Sequence, residues 1–481
     1  MLETIREYGT ELLADRSETE EIGRRHAAFY LALAEQAGPA LTGPEALVWL
    51  ARLDTEHDNL RAALRWAREH DDKAVALRLA AALWPFWQQR GHLSEGRSRL
   101  REALDPSAAA VAPAVRVNGL VGAARLAIDQ AAYDDAAERC AQAMKLAREL
   151  GDPQVLAAAL NTQGMLARAQ DRYADSKRDH QAALERARAA GEPAGEAVAL
   201  LGLGYAAIFT GDAPEAARLA EASLAAARAS GDRRTLAQVL YLLGWAAGNA
   251  GPEASGRADA FATEALGLFR ALGDTGGQAD VLFMLGTFGL NAGDYRRAER
   301  FFTDSLALLR ERGDEKATAR GLGALGTALL NLGDRAAARK MIEESLVIAR
   351  RFSDRWSTAM SLTLAGHVNL ADGDHARAQA LLADAAPLFA DTGNLMYVQW
   401  CLEGLAGAAA ARGDYERAAE LDGARDALRA QIGVLLPPVH PDGHAQMLAA
   451  IRAALTPAAY SAARRRLADQ SPQQIIAAAS S

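Results

Sequence analysis

The chain has little cysteine, little lysine, few aromatic rings and no long apolar run. Two cysteines in 481 residues, Cys140 and Cys401, cannot build a disulfide framework and lack the spacing of a metal site, so a reducing cytoplasm is the expected compartment. There is no run of 18 apolar residues, and Met1 is not followed by a basic and then apolar leader, so no membrane association is expected. Five of the 53 basic residues are lysine. Against 61 acidic residues the net charge is −8, and the two signs alternate along segments, so direct nucleic-acid binding is not expected. Also absent are a G-x-x-x-x-G-K-[ST] phosphate loop and an H-E-x-x-H metal signature. His440 and His444 are the closest histidine pair and read as ordinary loop residues. Spacing assembles no Ser-His-Asp or Cys-His set. The expectation is a non-enzymatic chain without catalytic residues, cofactor or metal.

What is present is a repeat. Between Gly191 and Asp232 two helical stretches of similar length each end in Gly followed by an acidic residue, the pattern of a left-handed C′ residue and an N-cap. The same punctuation returns at Gly91, Ala131, Asp171, Gly211, Gly251, Gly293, Gly333, Gly373 and Gly413. Steps are of 40 residues, apart from one of 42 between Gly251 and Gly293. A second series, Gly151, Gly191, Gly231, Gly273, Gly313, Ser353 and Gly393, falls between the hairpins. The unit is helix A, turn, helix B, turn.

Packing positions repeat in the same register. Midway along helix A stand Ala124, Gly164, Gly204, Gly244, Gly286, Gly326, Gly366 and Ala406. Glycine inside a helix costs about 1 kcal/mol relative to alanine, so its recurrence at one register implies close helix approach. Early in helix B another small residue recurs, as at Ala136, Ser176, Ala216 and Ala298. The pattern resembles the tetratricopeptide repeat in a long-period form. The expected fold is all-α: a right-handed superhelical solenoid of about nine hairpins.

The ends of the chain depart from the register. Residues 1–72 read as an N-terminal helical segment, 73–432 as the repeat solenoid and 433–481 as capping helices. Leu2–Leu13 reads as a helix. Ser17 and Glu20 offer a capping box for a second one to about Gln36, broken by Gly38 and Pro39, and a single helical stretch follows from Pro44 to His70. The run Trp84-Pro85-Phe86-Trp87 is expected to bend its helix. After the proline-rich break Leu435–His444, two short helices are expected around Ala445–Leu455 and Pro457–Asp469, with Ile475–Ser481 packed loosely.

Leu2–Leu13, RRHAAFYLALAE at Arg24–Glu35, LDTEHDNLRAALRWA at Leu53–Ala67 and LWPFWQQRGHLSEGRSRLREAL at Leu83–Leu104 resemble the region that follows the ATPase in STAND-type signal-transduction ATPases. That family includes the MalT-like and LuxR-family transcriptional regulators of actinobacteria. AALTPAAYSAARRRLADQSPQQIIAAA at Ala453–Ala479 is similar to their last helices. The resemblance implies a repeat arm that senses a small inducer, a peptide or a protein for a transcriptional regulator. ATP hydrolysis and DNA binding are not carried over, since neither a phosphate loop nor a LuxR-type helix-turn-helix is found. Two alternatives stay open: the chain is the C-terminal part of a full regulator whose gene begins upstream, or it is a structural scaffold.

A solenoid of this kind binds on its concave face, at helix-A offsets −3, +1, +4 and +5 from the small residue. In the middle units these offsets select Tyr205, Ile208, Phe209, Tyr241, Trp245 and Phe283, and Asn249, Asn291 and Asn331 follow at one repeated offset. Aromatic anchors beside planar amides suit an extended peptide or a flat ligand. Packing rings and turn-capping asparagines would produce the same pattern.

Overall fold

The computed structural model describes residues 18–105, 111–210, 212–249, 255–391, 394–432, 438–467 and 470–480, with the side chains of 213, 249, 255, 432, 479 and 480 left out. Leu2–Leu13, Ser17 and the turns at Gly211, Gly251 and Gly393 lie outside the described residues. The chain divides into two compact units, Met1–Gln278 and Ala279–Ser481.

Unit 1 contains α1 (Thr19–Ala40), α2 (Ala46–Thr55), α3 (His57–Glu69), α4 (Lys73–Arg90), α5 (Leu93–Ala103), α6 (Pro113–Asp129), α7 (Tyr133–Leu150), α8 (Pro153–Ala169), α9 (Tyr173–Ala190), α10 (Pro193–Phe209), α11 (Ala213–Ser230), α12 (Arg233–Asn249) and α13 (Ser255–Leu272). The boundary falls in the first turn of α14 (Thr275–Asn291). Unit 2 continues with α15 (Tyr295–Arg312), α16 (Glu315–Asn331), α17 (Arg335–Arg351), α18 (Arg355–Ala371), α19 (His375–Asp391), α20 (Val398–Ala411), α21 (Tyr415–Ile432), α22 (Pro441–Ala454), α23 (Pro457–Arg465) and α24 (Pro472–Ser480). No strand occurs among the described residues. From α4 to α21 consecutive helices pair as hairpins, a tetratricopeptide-like repeat in both units.

Local chemistry accounts for the punctuation. Each described turn residue of both series has positive φ, from Gly91 at 75° to Gly413 at 83°, including the non-glycines Ala131, Asp171 and Ser353. The next residue is commonly an acidic N-cap: Asp152, Asp212, Asp294, Asp314, Asp334 and Asp354 each accept main-chain N–H bonds from the first turn they open. Asp71, with φ 52°, sits in the same register ahead of α4. The recurrent helix-A glycines are sites of close approach. A Cβ on Gly286, Gly326 or Gly366 would lie 2.6, 2.6 or 2.5 Å from Phe302, Ile342 or Leu382, in each case the residue 16 positions later on helix B. Serine hydroxyls repeat a second tie across 26 residues, Ser223 to the Ala197 carbonyl, Ser305 to Ala279 and Ser345 to Ala319.

Three expectations at the ends are corrected. α1 runs through Gly38 and Pro39 to Ala40; a Cβ on Gly38 would meet the Ala82 carbonyl at 3.3 Å, so this glycine lets α1 approach α4 instead of ending the helix. The stretch Pro44–His70 is two helices parted at Glu56, with Leu50, Leu53, Leu60 and Leu64 buried. The last described helix is not loose at its apolar pair: Ile475 and Ile476 are buried on α24, which packs on α19, because two adjacent branched side chains find an apolar seat there; Ser481 lies outside the described residues. Trp84, Phe86 and Trp87 are buried, and α4 is continuous through Pro85. Trp84 takes the register position that later helices give to a small residue, and Gly122 makes the room, its would-be Cβ only 2.3 Å from the indole.

Unit 1 curves back on itself. Arg90 of α4 donates from Nη1 to the Leu272 carbonyl at 2.9 Å while its Nη2 meets Asp54 at 2.6 Å. Pro44 packs on the turn at Gly231, and α2 touches α13. The N-terminal helices thereby clasp the far end of the same stack.

Candidate functional site

The helix-A offsets carry different chemistry in the two units. In unit 1, Arg125 lies at +1 from Ala124 and Arg168 at +4 from Gly164. The Arg125 guanidinium stands 5.4 Å over the Trp84 ring, and its Nε is 3.5 Å from Thr162 Oγ1. Among the described residues it makes no ion pair. Burial first, and then the charge of Arg234, hold its pKa below the ordinary arginine value, with Asp129 and Asp232 opposing. Curvature of the stack thus brings guanidiniums from α6 and α12 within electrostatic reach across 109 residues. Arg234 meets Asp274 at 3.3 Å, while its Nη1 is buried without a hydrogen-bond partner. Arg168 covers the Tyr205 ring at 4.8 Å. These guanidiniums are part-buried, and a guanidinium drawn out of water is costly unless an opposite charge meets it, so this face suits an anionic group held beside aromatic rings.

The other residues selected from the sequence in unit 1 form pairs. Phe209 is 55% exposed and stacks on Tyr173 with centroids 5.3 Å apart. Tyr241 and Trp245, both part-buried, meet edge to face at 6.3 Å. The side chain of Asn249 lies outside the described residues. His180 fills the core place that Phe302, Ile342 and Leu382 take in other hairpins, wedged between Gly164 and Gly202. Its Nδ1 pairs with Asn161 Oδ1 at 3.0 Å and its Nε2 has no partner. Burial, followed by the charges of Arg168 and Arg125, pushes its pKa down to about 3, so the ring is neutral.

Phe283, Asn291 and Asn331 belong to unit 2. Phe283 packs against Phe302 at 5.4 Å under the Arg320 guanidinium at 5.1 Å. Asn291 is exposed. Asn331 donates from Nδ2 to two carbonyls, Thr327 of its own helix and Val439, each at 2.9 Å. The N–H of the same Val439 donates to Glu403 Oε1 at 3.1 Å. Val439 is 3% exposed, in a cluster with Leu325, Leu329, Leu364 and Val368.

Beyond it, His440 Nδ1 accepts from the Gly443 N–H and caps α22, and His444 receives the Arg425 guanidinium at 2.9 Å. The two histidines have separate partners and share no ligand. Arg425 lies 3.7 Å from Glu403. Burial outweighs that guanidinium and the main-chain donors and raises the Glu403 pKa to about 8. His367 donates from Nε2 to the Trp400 carbonyl at 2.9 Å, since a carbonyl oxygen only accepts.

Over 172 residues the chain is 40% identical to proteins named as HTH-type transcriptional regulators in Mycobacterium bovis and Mycobacterium tuberculosis. That stretch is 34% of this chain and 19% of theirs, so the chain spans about a fifth of the length of these relatives. No family model matches. Among solved structures it is similar to a Rap protein complexed with Competence and Sporulation Factor, with TM-score 0.54 and 14% identity over 74% of this chain and 98% of that one. A Rap conjugation gene regulator of plasmid pLS20, in complex with the Phr* peptide, gives TM-score 0.51 and 14% identity over 74% and 96%. At that identity the likeness is one of fold.

Two groups of functional interest were not singled out from the sequence. Arg125 sits at +1, the offset of Tyr205 and Trp245, Arg168 at +4, the offset of Ile208, and Glu403 at −3 from Ala406; the same offsets in every hairpin mark them. Val439 carries no such signal. It is one valine in a proline-rich break, 108 residues from Asn331. Among the described residues no group of three His, Cys, Asp or Glu could hold a metal, and no helix is long and apolar enough to cross a membrane.

Proposed function

We propose that this chain is the ligand-sensing repeat arm of a transcriptional regulator of the STAND type, and that it binds a peptide or small inducer carrying an anionic group against the inner face of unit 1. The observation that carries this reading is the Arg125 guanidinium set over the Trp84 ring, with Thr162 Oγ1 at its Nε and the positive charge of Arg234 acting on it. Among the described residues Arg125 makes no ion pair and Arg234 Nη1 has no acceptor. The match to HTH-type regulators supports the regulatory setting. The Rap complexes support peptide as one ligand class on this fold. Catalysis forms no part of the reading.

Thermal unfolding against a panel of peptides and anionic metabolites tests it, since a ligand of the folded state raises its melting temperature, by about 2.7 kcal/mol of stability at 100 times Kd. A ligand that raises the melting temperature of the wild type and not of Arg125→Gln or Trp245→Ala is the expected result. A ligand insensitive to both variants places the site elsewhere.

A second reading, that the arm works as the C-terminal part of a nucleotide-hydrolysing, DNA-binding regulator, is favoured by the greater length of the mycobacterial relatives. Reading the DNA upstream of Met1 decides it: an open frame with a phosphate loop supports it, and a stop codon removes it.

A further inference from the structure

The inner face of unit 2 already holds a short non-helical stretch of its own chain, Val439 and His440, which leads into α22. Side chains from two helix-A positions, Asn331 at +5 and Glu403 at −3, take both main-chain groups of Val439, its carbonyl and its N–H. The valine side chain is sealed in an apolar cluster that Phe283 and Trp400 flank. The segment then runs past α15, where Asp442 faces Tyr295 electrostatically, and ends with His444 on Arg425 of α21. Contacts to N–H and C=O read a peptide through its backbone, with one pocket for a side chain, which is how extended peptides are recognised on protein surfaces.

We propose that the face between Asn331 and Glu403 is a peptide-binding groove occupied in cis by Val439 and His440, and that its external ligand is a peptide with a branched aliphatic residue in the place of Val439. Emptying the groove would take one acceptor from Asn331 and a main-chain donor from Glu403, and buried polar groups left under-satisfied are costly. Only an occupant with its own main-chain donor and acceptor restores those bonds, which selects peptide over an apolar small molecule. This inference stands on unit 2 alone and is independent of the anionic site proposed in unit 1.

The probe is a labelled synthetic peptide of residues 435–444, LLPPVHPDGH, titrated onto the full chain. A tethered segment competes at an effective concentration on the order of millimolar, so the wild type should bind the peptide at least about tenfold more weakly than Val439→Ala, whose cis segment has lost two methyl groups of anchor. Adding Asn331→Ala to Val439→Ala should abolish the gain. Amide hydrogen exchange supplies a second readout: the peptide should restore protection to α16 and α20 in Val439→Ala. The proposal is overturned if Val439→Ala, melting cooperatively, binds no better than wild type, or if the gain survives Asn331→Ala. It is equally overturned if Val439→Ala loses stability and the peptide restores no protection, the behaviour of a structural staple.

Discussion

The two units share one backbone register and differ in what their inner helix faces hold. In unit 1 the offsets present Arg125, Arg168 and Tyr205, and the described chain sends no segment of its own onto the two guanidiniums. In unit 2 the offsets present Asn331, His367 and Glu403, and Val439 is bonded to two of them. Arg125 and Arg168 lie over rings and make no ion pair among the described residues, whereas the amide and the carboxyl of unit 2 are met by main chain. A repeat therefore conserves its close-packing positions, because Gly286 against Phe302 leaves no room for change, while four offsets per helix remain free to define separate sites.

The comparison breaks most readily at Arg425. Its guanidinium is 9% exposed, faces Glu403 and Asp422, and holds His444. Arg425→Met should cost roughly 3 kcal/mol, the range for removing one partner of a buried ion pair. Denaturant-dependent hydrogen exchange should show the loss in α20 and α21, with α6 to α12 unchanged; a uniform loss would mean that the units do not respond separately.

A smaller effect sharpens the contrast from the other side. His180 has a folded pKa of about 3 against an ordinary 6.5, so its contribution is present above pH 6.5 and is lost as pH falls toward 3. At pH 5 the deficit is about 2 kcal/mol. His180→Leu, which installs a residue found at the same register in Leu382, should make unit 1 more resistant to acid. It should leave unit 2 sensitive, since His367 and His444, each lowered to about 4 chiefly by burial, remain there. Exchange rates at pH 5 and pH 7 in both units check this, and acid sensitivity of unit 1 persisting in the variant would contradict it.

The smallest effect is expected at Phe209. Its ring is 55% exposed and rests on Tyr173, so Phe209→Ala should cost about 0.5 kcal/mol in a thermal melt, at the lower end for an aromatic pair. A loss of several times that would assign the ring to the core and remove it from any binding surface.

Much of this was legible beforehand in particular residues. Gly91, Gly151, Gly273 and even Ser353 announced their turns, and the glycine series announced the close approach of helix A to helix B. Asp71 escaped notice because it is neither glycine nor followed by a familiar hairpin. His180 stands in a polar stretch, DSKRDHQAAL, and the glycines at 164 and 202 that make room for its ring show why it is inside. The division of Tyr205, Phe209, Tyr241 and Trp245 from Phe283, Asn291 and Asn331 into different units has no sequence marker at all.

The amino-acid sequence by itself determined the secondary structure, the period and the hairpin packing, because each depends on residues within about 40 positions: a left-handed turn residue, an N-cap, a glycine beneath a bulky side chain 16 residues on. Tertiary structure alone decided what the inner faces contain. Arg125 meets the field of Arg234, and Asn331 meets Val439, only after small rotations have accumulated over several hairpins, and no local rule of composition or spacing encodes a sum of that kind.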